Sequence, residues 1–161
     1  MPMARKAIAL IYHSQSAGNT KAAAAHVREA IEADGRFSVL EYNTNDGRVG
    51  PGILAECAGA AFGTPDYFSY PAGGVKMFFD DWLVEKRKGN EEIEGLPVAP
   101  FMTCGGGGAA KTPFEGLCQK VGPQIADTVV IKGSPDDEGA EACRKMAKLL
   151  VEEAVRFAES Q

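Results

Sequence analysis

Between residues 13 and 20 the chain reads His-Ser-Gln-Ser-Ala-Gly-Asn-Thr, with no lysine or arginine. Such a run can hold an anion only through neutral donors. Ser14, Ser16 and Thr20 carry hydroxyls, Gln15 and Asn19 carry amides, and Gly18 lets backbone come close. A second cluster, Thr64-Pro65-Asp66-Tyr67-Phe68 with Tyr70 just beyond, offers flat rings that can stack on a planar ligand. A third, Thr103-Cys104 followed by glycine at 105, 106, 107 and 108, brings backbone to close range with little side chain in the way. Gly105 and Gly106 open that run directly after Cys104.

These clusters need elements to position them. Residues 7–12 are almost wholly apolar, as expected for a strand covered on both faces. From Thr20 onward Ala23, Val27, Ala30 and Ile31 recur at helical spacing, so the first polar run opens onto a helix N-terminus. Unpaired N–H groups and the positive end of the helix dipole favour an anion there. Ser, Asn and Thr ahead of a helix also serve as ordinary caps. The run is neither a Walker loop nor a G-x-G-x-x-G fingerprint, since Gly18 is its one glycine.

Further strands are expected at residues 37–42, 58–63, 97–103 and 127–132, with a short helix at 53–57. Residues 64–74 read as a long loop. Residues 74–86 read as a helix whose stripe is Val75, Phe78, Phe79 and Trp82, which makes Trp82 a core residue. Pro100 predicts a bulge or break in the fourth strand, because proline cannot donate to a central ladder. Thr112-Pro113-Phe114-Glu115 has the form of a capping box, and Ser134-Pro135-Asp136-Asp137 starts the last helix in the same manner. That helix buries Ala140, Cys143, Ala147, Leu150, Val151 and Ala154.

Strands alternating with helices imply an α/β domain spanning residues 1–161, a doubly wound, five-stranded parallel sheet with helices on both faces. In the order 2-1-3-4-5 the first and third strands are neighbours at a topological switch point, and ligands sit outside their carboxyl ends. The three unusual loops then converge. Anion donors, stacking rings and bare backbone suit a phosphate and a planar ring joined by a spacer. Flavin mononucleotide (FMN) and an ordinary nucleotide both have that shape.

Composition narrows the classes. A hydrophobic share of 45% and a charged share of 24% are those of a soluble globular protein, and 161 residues suffice for a sizeable core. A net charge of -5 argues against nucleic acid and anionic membrane surfaces as partners. Cys57, Cys104, Cys118 and Cys143 form no C-x-x-C pair and no metal spacing with His13 or His26, which predicts a reducing, cytoplasmic setting. Arg5-Lys6 and the following apolar run are too short for a signal peptide, and no stretch approaches membrane-spanning length.

The residues also carry a family resemblance. Ser14-Gln15-Ser16-Ala17-Gly18-Asn19-Thr20 resembles the flavodoxin phosphate loop, [ST]-x-[ST]-x-G-x-T. Gly63-Thr64-Pro65-Asp66-Tyr67-Phe68 is similar to the G-[ST]-P-x-Y-x segment of flavodoxin-like quinone reductases. Lys76, Phe78 and Asp80 or Asp81 fit that family's K-x-F-x-D pattern, and Phe101-Met102-Thr103-Cys104-Gly105-Gly106 is similar to its fourth-strand segment. The resemblance implies bound FMN, with phosphate on residues 14–20 and ring contacts from residues 64–68 and 103–106. It departs where a dedicated carrier flavodoxin has an acidic, aromatic loop after strand four: residues 104–111 hold neither an acid nor an aromatic. Three functions follow as alternatives. The first is an FMN-dependent NAD(P)H oxidoreductase acting on a quinone-like acceptor, the second a flavodoxin-type electron carrier docking to a redox partner protein, and the third a module that keeps the fold without flavin. Self-association is left open.

Overall fold

The computed structural model describes residues 4–161. The strands are β1 (Ala7–Tyr12), β2 (Ser38–Asn43), β3 (Cys57–Tyr67), β4 (Tyr70–Pro71), β5 (Val98–Cys104) and β6 (Val129–Lys132). The helices are α1 (Asn19–Asp34), α2 (Gly73–Arg87), α3 (Lys111–Val121) and α4 (Asp137–Glu159), with 3-10 turns at Pro51–Glu56 and Glu91–Ile93. The parallel sheet runs β2-β1-β3-β5-β6, and β4 pairs antiparallel with β3 alone. Leaving out that two-residue strand, this is the expected 2-1-3-4-5 order.

Alternation along the strands supplies two cores. Ile8, Leu10, Ala61, Phe101 and Ile131 pack under Val27 and Ile31 of α1 and Leu150 and Val151 of α4. Ala9, Ile11, Phe62 and Val98 pack under Phe78, Phe79 and Trp82 of α2 and Phe114 of α3. Trp82 is core, as its place on the stripe predicts, and its indole N–H donates to the Ile93 carbonyl at 2.8 Å. Every residue of β1 is buried, which explains its unbroken apolar run.

Four expectations need correction. Residues 64–67 are strand, not loop: β3 continues through Tyr67, turns at Phe68 and Ser69, and returns as β4. Both turn residues have positive φ, 57° and 61°, as a two-residue hairpin turn demands. Phe-Ser is not a composition that announces such a turn, and two non-glycine residues there carry strain. Pro100 causes no bulge. Pairing of β3 with β5 runs in unbroken register from Ala60↔Val98 to Pro65↔Thr103. Val98 and Cys104 bond toward the β6 side, and Pro100 shares their parity, so its missing donor faces that side too. Pairing with β6 begins only at Phe101↔Val129, one residue later. Helix α3 has no capping box: its N-cap is Ala110, without a side-chain bond, and Glu115 instead accepts from Thr128 and Gln124. Helix α4 does not start at Ser134-Pro135 either: its cap is Asp136, whose carboxylate accepts from Gly139 N–H at 2.8 Å.

Candidate functional site

The carboxyl ends of β1, β3 and β5 open into a cleft of about 180 Å³. The β1–α1 loop forms one wall with Ser14, Gln15, Ala17, Gly18, Asn19 and Thr20, while Pro65, Asp66 and Tyr67 come from the end of β3. Thr103, Cys104 and Gly105 come from β5 and its loop, and Gly133 closes the far end.

The β1–α1 wall is built by long-range hydrogen bonds. Ser14 N–H donates to Asn43 Oδ1 at 3.0 Å, and Asn43 Nδ2 donates back to the Ser14 carbonyl at 3.0 Å. Ser14 Oγ accepts from Lys21 N–H at 3.1 Å, satisfying one orphan donor of the first turn and leaving the hydroxyl proton free to donate elsewhere. Gly18 is the N-cap, at φ 73°, a left-handed conformation glycine adopts without Cβ strain. Thr20 and Thr103 are both buried, and their hydroxyls meet at 2.8 Å. One of the two donates to the other, so one proton of the pair remains available to a ligand.

At the opposite wall, Asp66 Oδ2 accepts from Ala110 N–H at 3.2 Å. The carboxylate therefore ties β3 to the residue that opens α3, a partner 44 residues away, and does not merely close its own turn. Tyr67 is part-exposed on the cleft rim, edge-on to the His13 ring. Cys104 Sγ lies 3.5 Å from the Gly106 carbonyl and is half-buried. Beyond it Gly105, Gly106 and Gly107 have open space where a Cβ would stand.

The cleft thus unites Ser14, Gln15, Gly18, Asn19, Thr20, Pro65, Asp66, Tyr67, Thr103, Cys104 and Gly105, as their loops predict. Other candidates lie off it. Ser16 is exposed, and neither it nor Gly106 lines the cleft. Thr64 is fully buried: its hydroxyl donates to the Pro65 carbonyl and accepts from Ala72 N–H, which holds the hairpin. Phe68 projects wholly into solvent at the hairpin tip. Ala17 and Gly133 line the cleft without having been singled out in the sequence, and Asn43 braces it from behind. Gly133 follows β6 at the same sheet edge, so the rule that ligands sit at carboxyl strand ends is the signal that finds it. Asn43 has no local signal.

The described residues contain no cluster of acids, histidines and thiols able to hold a metal ion, and no helix long and apolar enough to cross a membrane. All four cysteines are free thiols.

No family model and no curated protein sequence matches the chain. Solved structures do. A flavodoxin from the domain Archaea superposes with a TM-score of 0.76 at 23% identity, covering 92% of this chain and 99% of its own. A WrbA-like flavodoxin from Agrobacterium tumefaciens gives 0.72 at 18% identity, with 92% and 97% covered. The rubredoxin oxygen:oxidoreductase of Desulfovibrio gigas gives 0.78 at 14% identity over 95% of this chain, which there corresponds to 38% of the longer protein. The fold of this chain is flavodoxin-like.

Proposed function

We propose that the cleft binds FMN and that the protein is a redox flavoprotein, acting as an NAD(P)H-dependent oxidoreductase on a quinone-like or other small acceptor. The observation that carries this is the pairing of two unlike walls in one cleft. One wall is a helix N-terminus with neutral hydroxyl and amide donors; the other is an aromatic rim facing a loop of bare glycine. Ser14, Asn19, Thr20 and the first-turn N–H groups of α1 would hold the phosphate without a cation. Pro65, Asp66 and Tyr67 on one side and Thr103, Cys104 and Gly105 on the other would border the ring. Bound flavin supplies the redox chemistry, accepting a hydride and passing on electrons in ones or pairs. The protein's part is to anchor, orient and tune. Asp66, a carboxylate beside the ring position, disfavours added negative charge there, and Tyr67 shields one side from water.

The enzyme reading rests on residues 104–111. They carry no aromatic, so nothing from that loop stacks over the ring position, and a flat donor or acceptor can approach it. A second reading, an electron carrier docking to a redox partner protein, is favoured by the exposed Phe68 and Tyr70 beside the rim and by the acidic charge balance. The free thiols accord with a reducing, cytoplasmic setting.

The first test is the visible spectrum of the purified protein, followed by titration of the flavin-stripped protein with FMN. A yellow protein, or tight uptake of FMN by the stripped one, is expected. A colourless protein indifferent to FMN removes the proposal. NADH or NADPH oxidation with a quinone acceptor then separates the two readings: steady turnover supports the enzyme. No turnover, with reduction in two well-separated one-electron steps, supports the carrier.

A further inference from the structure

We propose that His13 is a positioning residue whose neutral imidazole sets Gln15 and Tyr67 on the two cleft walls, so that its protonation loosens ligand binding. The binding half of this inference rests on the FMN reading above; the positioning half does not. His13 ends the buried run begun by β1 and is itself buried. Its Nδ1 lies 2.8 Å from Thr44 Oγ1, and its Nε2 lies 3.3 Å from Gln15 Nε2. Its ring meets Tyr67 edge-on, with centroids 6.1 Å apart and planes at 81°. From behind, the start of α2 closes in: a Cβ on Gly74 would fall 2.8 Å from Nδ1 and 2.7 Å from Thr44 Oγ1. One imidazole therefore touches a residue of each wall and has no room to retreat.

The hydrogen-bond partners define a tautomer. With the Gln15 amide nitrogen, which can only donate, facing it, Nε2 takes the accepting role in this arrangement. The single ring proton then sits on Nδ1 and goes to Thr44 Oγ1. A second proton would put N–H against N–H₂ and force the Gln15 amide to turn or leave. The surroundings oppose that proton. Thr44, Gln15 and the Gly73–Gly74 backbone are uncharged, and the N-terminal end of α2 carries positive dipole. The charged groups on the neighbouring elements are spent elsewhere or point outward. Asp66 accepts from Ala110, Lys76 pairs with Asp80, Arg48 with Asp81, Glu41 joins Tyr12 and Arg28, and Asp46 is exposed. Burial lowers the imidazole's pKa in the same direction. With the folded value below the unfolded one, the folded state binds fewer protons between them. The stability this group contributes is complete above about pH 6.5 and is lost as pH falls toward the folded value.

Two measurements test the inference. Long-range nitrogen–proton spectra of the ligand-free protein should show His13 protonated at Nδ1 near neutral pH, with the Gln15 side-chain amide and Tyr67 ring signals shifting as His13 titrates. Protonation at Nε2, or Gln15 and Tyr67 signals indifferent to that titration, overturns the positioning role whether or not FMN binds. FMN affinity is then followed from about pH 8 to pH 5 in wild type, His13→Gln and His13→Ala. The His13→Gln amide can meet Gln15 but does not titrate, so its profile carries only the ligand phosphate's own protonation near about pH 6. Wild type should lose up to about tenfold per pH unit more than His13→Gln below the imidazole's pKa. His13→Ala should bind more weakly than both at the alkaline end. Parallel wild-type and His13→Gln profiles overturn the pH coupling. Absence of FMN binding in every variant refutes the functional reading, while the spectra alone decide the positioning role.

Discussion

The loop after β1 and the loop after β5 face each other across the cleft, and they are held by opposite means. The first is tied by side chains from distant elements: Asn43 brackets Ser14 on both backbone sides, Ser14 receives Lys21 N–H, and Thr20 leans on Thr103. Among the described residues the second has one side-chain tether to another element, Asp66 to Ala110, and otherwise turns on bonds within itself, Cys104 Sγ to the Gly106 carbonyl and Lys111 N–H to the Gly108 carbonyl. Three glycines without close neighbours fill the stretch between. Ordering glycine costs more backbone entropy than ordering any other residue, so the second loop spends little on a fixed shape. One wall is preorganised to grip and the other is free to adapt. Under the proposed function this puts the rigid side at the phosphate and the adaptable side where the second substrate approaches.

The largest effect should come from the left-handed glycine on the rigid wall. Gly18→Val places a β-branched residue at φ 73°. The space around it is open, so the cost is backbone strain, about 1–3 kcal/mol. FMN affinity should fall roughly tenfold or more. Gly107→Ala on the adaptable wall, with ordinary φ and open space, should stay within about 0.5 kcal/mol or stabilise slightly. Equal losses in the two variants, by thermal unfolding and ligand titration, would erase the contrast between the walls.

Asn43→Ala removes both bonds to the Ser14 backbone and should cost about 1–3 kcal/mol in urea unfolding. Because Asn43 does not line the cleft, a loss of FMN affinity with it would show that the brace itself preorganises the wall. At Asp66 the expected effect is smaller, about 0.5–1.5 kcal/mol. Asp66→Ala should speed amide exchange at residues 105–110, whereas Asp66→Asn keeps an acceptor for Ala110 and should leave that exchange slow. The same Asn variant removes the charge beside the ring and should raise the potential of the bound flavin, less so at high salt. Exchange that is equally fast in both variants would mean that the charge, not the hydrogen bond, holds the loop.

The finest probe is chemical. Burial raises the Cys57 thiol to about 12 and the Cys143 thiol to about 11, and pushes Cys118 well above its usual value. Those three stay protonated and inaccessible at pH about 8, so Cys104, on the adaptable wall, should be alkylated first. Mass spectrometry should find one adduct, slowed by bound ligand. Several adducts forming at similar rates would mean that the core opens as readily as the loop.

Local pattern in the chain was enough to determine the five parallel strands, the four long helices and their order, though not the hairpin that extends β3. The unbroken apolar run of β1 reports burial on both faces, and the stripes of α1, α2 and α4 report one buried face each. Alternation of such runs leaves few topologies open, and the switch point follows from them. Ser14, Gln15, Gly18, Asn19 and Thr20, with residues 65–67 and 103–105, were therefore legible as cleft residues, since chain order alone brings their loops to one sheet edge. What remained hidden depends on partners far apart in the chain. Nothing near Asn43 says that it will meet Ser14, 29 residues away, and nothing near Thr20 names Thr103, 83 residues away. Glu115 had the spacing of a capping box, yet Thr128 and Gln124 compete for its carboxylate and win. Phe68 and Ser69 turn a hairpin against their own φ preference because Thr64 and the β3–β4 pairs hold both arms. Pro100 is harmless only because β6 begins one residue later. Periodicity encodes which face is buried; which polar atom finds which partner is decided only once the sheet has brought them together, because a hydrogen bond depends on distance and angle that no local spacing carries.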